Sequence, residues 1–159
     1  MKLVKASVKY LDDFEQLERE FLKYNESLGI DTQYYKKKAS TLSKDYFAKD
    51  FRSRLNKRNK FFYFIKEGDN FCGYIYGYII KMSELYEIGK IGYLDGIIIS
   101  KKHRGKGYAS LLKDKFFEWL KKQEVSLCQI NVAEKNKPTM EVYKHWGFTT
   151  DELRLIKKV

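Results

Sequence analysis

Two apolar stretches joined by a four-residue turn constrain this chain more than any other feature. FFYFI (61–65) and FCGYIYGYII (71–80) flank Glu67, Gly68, Asp69 and Asn70. Aromatic and β-branched runs around such a turn specify a β-hairpin. Because side chains alternate along a strand, Tyr74, Tyr76, Tyr78 and Ile80 should share one face, with Phe71, Gly73, Ile75, Gly77 and Ile79 on the other. The face notched by glycines suits close approach of a helix or a ligand. A third run, IGYLDGIII (91–99), is too apolar for a solvent-facing edge and belongs at the centre of the sheet.

The flanking segments supply the helices that such a sheet needs. LVKASV (3–8) alternates as a first strand, after which Asp12 or Asp13 can cap a helix running to about Tyr24. Its apolar stripe is Leu11, Phe14, Leu17, Phe21 and Leu22, and Glu15, Glu18, Arg19 and Lys23 should face outward. Glu20 and Glu26 are candidates for lining an acceptor site, although helix-surface charges are the commoner case. Segment 25–43 has weak periodicity and reads as an irregular connection, long enough to act as a lid, with Tyr34 and Tyr35 either lining a pocket or packing in the core. A second helix covers about 44–58. Further on, a helix over 108–123 buries Leu111, Leu112, Phe116, Trp119 and Leu120, and a strand follows at 126–132. Pro138 suits the first turn of a short helix, Gly147 suits its C-terminal cap, and a last strand lies near 153–157. With strands and helices mixed throughout, 1–159 reads as a single α/β (α+β) domain with a central mixed, mostly antiparallel sheet flanked by helices.

Composition limits the function classes. The 159 residues are 43% apolar, enough for one core, and 32 Lys plus Arg against 21 Asp plus Glu give a net charge of +11. The basic residues are scattered, and the aromatic ones sit inside strands rather than alternating with a basic stripe, which argues against nucleic acid as a partner. No run of about 18 apolar residues occurs, and the first residues lack a signal-peptide core, so no membrane association is expected and a cytoplasmic setting is the simplest reading. Cys72 and Cys128 lack CxxC spacing and have no histidine beside them, so buried reduced thiols are expected rather than a disulfide, and no metal site.

Chemistry concentrates in YLDGIIISKKHRGKGYASLL (93–112), an apolar run, a basic loop and the start of a helix. Gly105 and Gly107 permit a tight turn in which backbone N–H groups converge at the helix start, where the helix dipole also favours an anion. Lys101, Lys102, His103, Arg104 and Lys106 surround it, an arrangement suited to a pyrophosphate; His103 and His145 read as surface or phosphate-proximal residues. Neither GxxxxGK[ST] nor a GxGxxG with a later acid is present, so Walker and Rossmann phosphate sites are disfavoured.

RGKGYA (104–109), directly after a strand, resembles the acyl-CoA loop of the GNAT N-acetyltransferase superfamily, written R/QxxGxG/A. Asn136, Thr139, Tyr143, Gly147 and Phe148 repeat the spacing of that family's later motif, in the same order along the chain. VAEKNKPTMEVYKHWG, with YLDG on the central strand, is also similar to the spermidine/spermine and thialysine acetyltransferase branch. That branch carries two adjacent acids on the strand, whereas here Gly96 follows Asp95, which counts against a polyamine acceptor.

The resemblance implies a GNAT acyl-CoA N-acyltransferase fold and acetyl-CoA as co-substrate, with no metal. Its pyrophosphate would lie on Arg104, Gly105, Lys106, Gly107, Tyr108 and Ala109, and its pantetheine would pair with Ile97, Ile98 and Ile99. Asn136 would contact the cofactor or hold the splayed strand. Gly96 either marks a bulge that separates this strand from 126–132 or answers a packing requirement. The acceptor would be a small-molecule or peptide amine attacking directly in a ternary complex, and family members are often homodimers. A lysine-like amine is almost wholly protonated at pH 7, at a cost of about 4.6 kcal/mol for the neutral form. Asp95 is the candidate base or water anchor, and Tyr143 the general acid for the leaving thiolate. The alternative to an enzyme is a non-catalytic acyl-CoA-binding or sensing domain. Acceptor choice would rest on 26–43, the 81–90 loop and the C-terminal strand.

Overall fold

A computed structural model describes residues 1–30 and 37–157. Five strands in the order β1-β2-β3-β4-β5 form one sheet: β1 Lys2–Lys5, β2 Lys60–Glu67, β3 Asn70–Lys81, β4 Lys90–Ile99 and β5 Cys128–Gln129. The first four are antiparallel neighbours, and β5 alone runs parallel, to β4. Among the described residues, four α-helices accompany them: α1 Leu11–Ser27, α2 Lys44–Asn56, α3 Tyr108–Lys122 and α4 Lys137–His145. This is the expected α/β architecture with a mixed, mostly antiparallel sheet.

The hairpin and its turn stand where the alternation placed them, and the remaining differences have local causes. β1 stops at Lys5 because Val8–Tyr10 already turn as a 3-10 helix, which leads straight into α1 at Leu11 and leaves Asp12 and Asp13 in the first helical turn rather than capping it. In β3, Ile65 pairs with Gly73 and Lys66 with Phe71, so Cys72 is an extra residue. That bulge turns Phe71 to the same side as Tyr74 and Tyr76, opposite to the strict alternation expected of it, and turns Cys72 inward beside Ile65 and Ile75. Residues 151–157 form no strand and are exposed, correcting the expected last strand; alternation alone does not create a pairing partner.

Both faces of the sheet are covered. On one, Leu112, Phe116 and Leu120 of α3 pack on Phe61, Ile65, Ile75 and Leu94. The predicted notch is real: a Cβ on Gly77 would lie 2.6 Å from the Phe116 ring. On the other, Phe14 and Leu17 of α1 and Phe51 of α2 pack on Phe62, Phe64, Tyr74, Tyr76 and Ile98. No helix of the described residues is long and apolar enough to cross a membrane.

Candidate functional site

The site begins where β4 loses its neighbour. β5 pairs with β4 only at Gly92 and Tyr93, with Asn131 Nδ2 donating to the Tyr93 hydroxyl at 2.8 Å just beyond. The expected strand over 126–132 is therefore paired only at Cys128 and Gln129, and the β4 edge at Ile97, Ile98 and Ile99 has no partner opposite β3 among the described residues. On the β3 side, Tyr76 pairs with Gly96 and Gly77 with Leu94, which makes Asp95 the extra residue of a bulge. Gly96 has negative φ and open space where a Cβ would stand, so packing does not explain it.

β4 ends in a turn at Lys101–His103, followed by the glycine loop. Gly105 and Gly107 have φ of 76° and 78°, in the left-handed region that a side chain resists. Gly107 is the N-cap of α3, with no side chain capping the helix and no acid in its first turn. The first-turn N–H groups are thus left to an anion. Arg104, exposed, donates from Nε to Ile99 O at 3.2 Å and lays its guanidinium 4.7 Å from the centre of the Tyr24 ring. Lys106 reaches back 3.1 Å to Glu67, which lowers the Glu67 carboxyl below its usual range. An open cleft of about 770 Å³ runs beside the turn, lined in part by Glu20, Phe71, Ser100, Lys101 and Lys102.

Two acids considered for an acceptor site have backbone partners instead. Glu20 accepts from the Lys101 N–H and Glu26 from the Ala39 N–H, so one steadies the basic turn and the other the chain after α1. Tyr34 and Tyr35 lie outside the described residues. Asn136, buried, caps α4 by accepting the Thr139 N–H at 3.3 Å. Tyr143, on α4, is buried against Trp146 and Phe148, and burial raises its phenol above the ordinary value. His145 is exposed, whereas His103 is buried with Nδ1 2.7 Å from Ser100 Oγ, contrary to a place on the surface.

Asp95 stands exposed at the bulge, flanked by tyrosines. The surrounding walls raise its carboxyl by desolvation, against the pull of Arg54. Behind it lies a network that the helical reading missed. The Tyr74 hydroxyl donates to Glu18, Arg54 Nη1 donates to the Tyr74 oxygen at 3.1 Å, and Arg54 Nη2 lies 3.3 Å from Glu18. The same guanidinium grips both oxygens of Asp50, at 3.2 and 3.0 Å. Burial raises the Glu18 carboxyl, while for Arg54 the burial that would lower it is outweighed by Tyr74, Glu18, Asp50 and Asp95. Glu18 is four residues after Phe14 on the buried stripe, which is the spacing that could have revealed it. In front, the Tyr78 and Tyr93 rings lie 5.3 Å apart, and the Lys57 ammonium sits 3.6 Å from the centre of Tyr78.

The sheet thus parts beside an uncapped, glycine-opened helix start with basic side chains around it, a geometry that suits an anionic ligand. The chain belongs to the acetyltransferase (GNAT) family, whose model matches residues 12–148. It is 30% identical over 160 residues to an uncharacterised N-acetyltransferase of Methanocaldococcus jannaschii, covering 94% of this chain and 63% of that protein. The chain thus spans a little under two thirds of that relative. Among solved structures, a tetramutant of a Bacillus halodurans protein superimposes with a TM-score of 0.84 at 13% identity over the full length of both chains. An aminoglycoside 6'-N-acetyltransferase of Acinetobacter haemolyticus does so with 0.74 at 17% identity, over 100% of this chain and 99% of that one. At those identities the likeness is one of fold.

Proposed function

We propose that this chain transfers the acetyl group of acetyl-CoA to a primary amine by direct attack in a ternary complex. The observation that carries the reading is the parting of β5 from β4 beyond Tyr93, which opens a backbone edge leading directly into the Arg104–Ala109 loop. Bound there, acetyl-CoA would supply an activated thioester. Arg104, Lys106 and the N–H groups of the α3 first turn would hold its phosphates, and the free edge at Ile97, Ile98 and Ile99 would bond its amide-bearing arm. A free backbone N–H near the Gly96 gap would meet the oxyanion as the amine attacks.

The residues around Asp95 fit an amine acceptor. An ammonium already rests on the Tyr78 ring, and aromatic faces beside a carboxylate attract such a cation. Asp95, raised but still acidic relative to an amine, removes the proton through water rather than directly. Tyr143, kept protonated through neutral pH by burial, is the proton donor to the departing thiolate.

A thiol-release assay with acetyl-CoA against polyamines, aminoglycosides, amino acids and peptide N-termini tests the reading. Turnover on at least one amine, lowered about 100-fold by Tyr143→Phe, is expected. Tight acetyl-CoA binding with no turnover across the panel would instead assign the chain to acyl-CoA binding or sensing.

A further inference from the structure

Beside the cleft and the Arg104–Ala109 loop, the fold gathers three ligand types that are far apart in the chain. One carboxylate oxygen of Glu67, Cys72 Sγ and one ring nitrogen of His103 all lie within 4.8 Å of one another. Glu67 ends β2, Cys72 is the bulge residue of β3, and His103 closes the turn after β4. The Cys72 bulge is what aims its sulfur inward, and the backbone bond from Ser100 N to Cys72 O, 2.9 Å, ties the turn to it.

We infer that Glu67, Cys72 and His103 form a binding site for a zinc-like divalent cation. Thiolate, imidazole and carboxylate are the ligand set that zinc accepts, with a water completing four-coordination. The histidine is prepared for it. Its Nδ1 is held 2.7 Å from the buried Ser100 hydroxyl, leaving Nε2, 3.8 Å from Glu67 Oε2, to face the cluster. That is the outer-shell bond by which ligating histidines are oriented. Adjacent ligand atoms around tetrahedral zinc are about 3.3–3.7 Å apart, so closure asks for shifts of about 1 Å. Glu67, exposed near the hairpin tip, is the ligand that would move on release from Lys106, while Cys72 and His103 are buried.

A cation already serves the carboxylate: Lys106 Nζ, at 3.1 Å from Glu67. The metal would displace it. Cys72, whose thiol burial pushes up, gives its proton to solvent as the metal–sulfur bond forms, with no change of oxidation state. Lys102 and Arg104, on the same turn and loop, oppose a dication.

The test uses the full chain, without a histidine tag, titrated with Co²⁺ and then competed with Zn²⁺. One equivalent of Co²⁺ should bind with a thiolate-to-cobalt charge-transfer band and intense tetrahedral visible bands, and Zn²⁺ should abolish both. Cys72→Ser should lose the charge-transfer band, and Glu67→Gln, at an exposed position that leaves the fold intact, should weaken binding about 10- to 100-fold. Lys106→Met should tighten it, and Cys128→Ser should leave it unchanged. Absence of the thiolate band in the unaltered chain, or a band that follows Cys128 rather than Cys72, overturns the inference, as does full affinity in Glu67→Gln.

Discussion

The face of the sheet under α3 and the face under α1 and α2 bury similar numbers of side chains in different ways. Under α3, Ile65, Ile75, Leu94, Leu112 and Phe116 meet with no charged member in the buried cluster. Under α1 and α2, aromatic rings enclose Glu18 and Arg54, and the Arg54 charge reaches Asp95 at the cleft. Burying a charge pair is a poor way to gain stability, since its desolvation offsets most of the attraction. The first face is therefore a means of holding the sheet, and the second also sets the field in which the candidate base works.

The largest effect should come from breaking that pair. Arg54→Met leaves Glu18 enclosed without its cation and is expected to cost about 3–5 kcal/mol in urea unfolding. The double variant Glu18→Leu with Arg54→Met should recover most of this loss. If it regains stability but acetyl transfer stays impaired, the network serves the cleft rather than the fold; full recovery of both would erase the contrast between the faces.

Tyr143 asks whether the α3 side is chemically silent, since its ring meets Phe148, and Phe148, just after α4, packs on Phe117 of α3. Tyr143→Phe should lower turnover about 100-fold, equivalent to about 2.7 kcal/mol of transition-state stabilisation, with acetyl-CoA affinity unchanged in a binding titration. On the same side, Gly77→Ala drives a methyl into the Phe116 ring and should cost about 1–3 kcal/mol in thermal unfolding, without a change in the pH profile.

The smallest effect concerns pH. Asp95 must be ionised to act as base, so turnover should fall as pH drops through its raised value, at a higher pH than an ordinary carboxylate would set. Asp95→Asn should remove that acid limb. For stability the sign is opposite: a carboxyl raised on folding contributes favourably below its unfolded value and loses that contribution as pH rises through the folded one. Asp95→Asn should therefore unfold at the same or a slightly higher temperature at neutral pH, a small shift that calorimetry can read.

The sheet side of the molecule was legible because strand alternation and turn residues are local signals. The hairpin and the Gly105–Gly107 loop follow from neighbouring residues alone. β4, expected at the centre, is instead fourth of the five strands and, among the described residues, half-unpaired on its outer edge, because an apolar run does not say what lies beside it. Glu18 is buried although its charge predicts exposure, and its spacing from Phe14 is what puts it on the buried stripe. His103 is buried rather than on the surface because strand pairing brings Glu67 and Cys72 to it, which no local pattern announces. The last strand failed for a related reason: 151–157 carries strand periodicity but finds no edge. Asp95 and Tyr143 were singled out by motif spacing, which carries no information on the bulge that turns one or the burial that surrounds the other.

The parted strands have a consequence for mutation. Hydrogen-bonding groups on a free strand edge belong to the main chain, so exchanging Ile97 or Ile99 for another side chain leaves them in place; proline is the exception. A recognition surface written in the backbone can drift in sequence and keep its pattern of donors and acceptors, so long as the two strands stay apart.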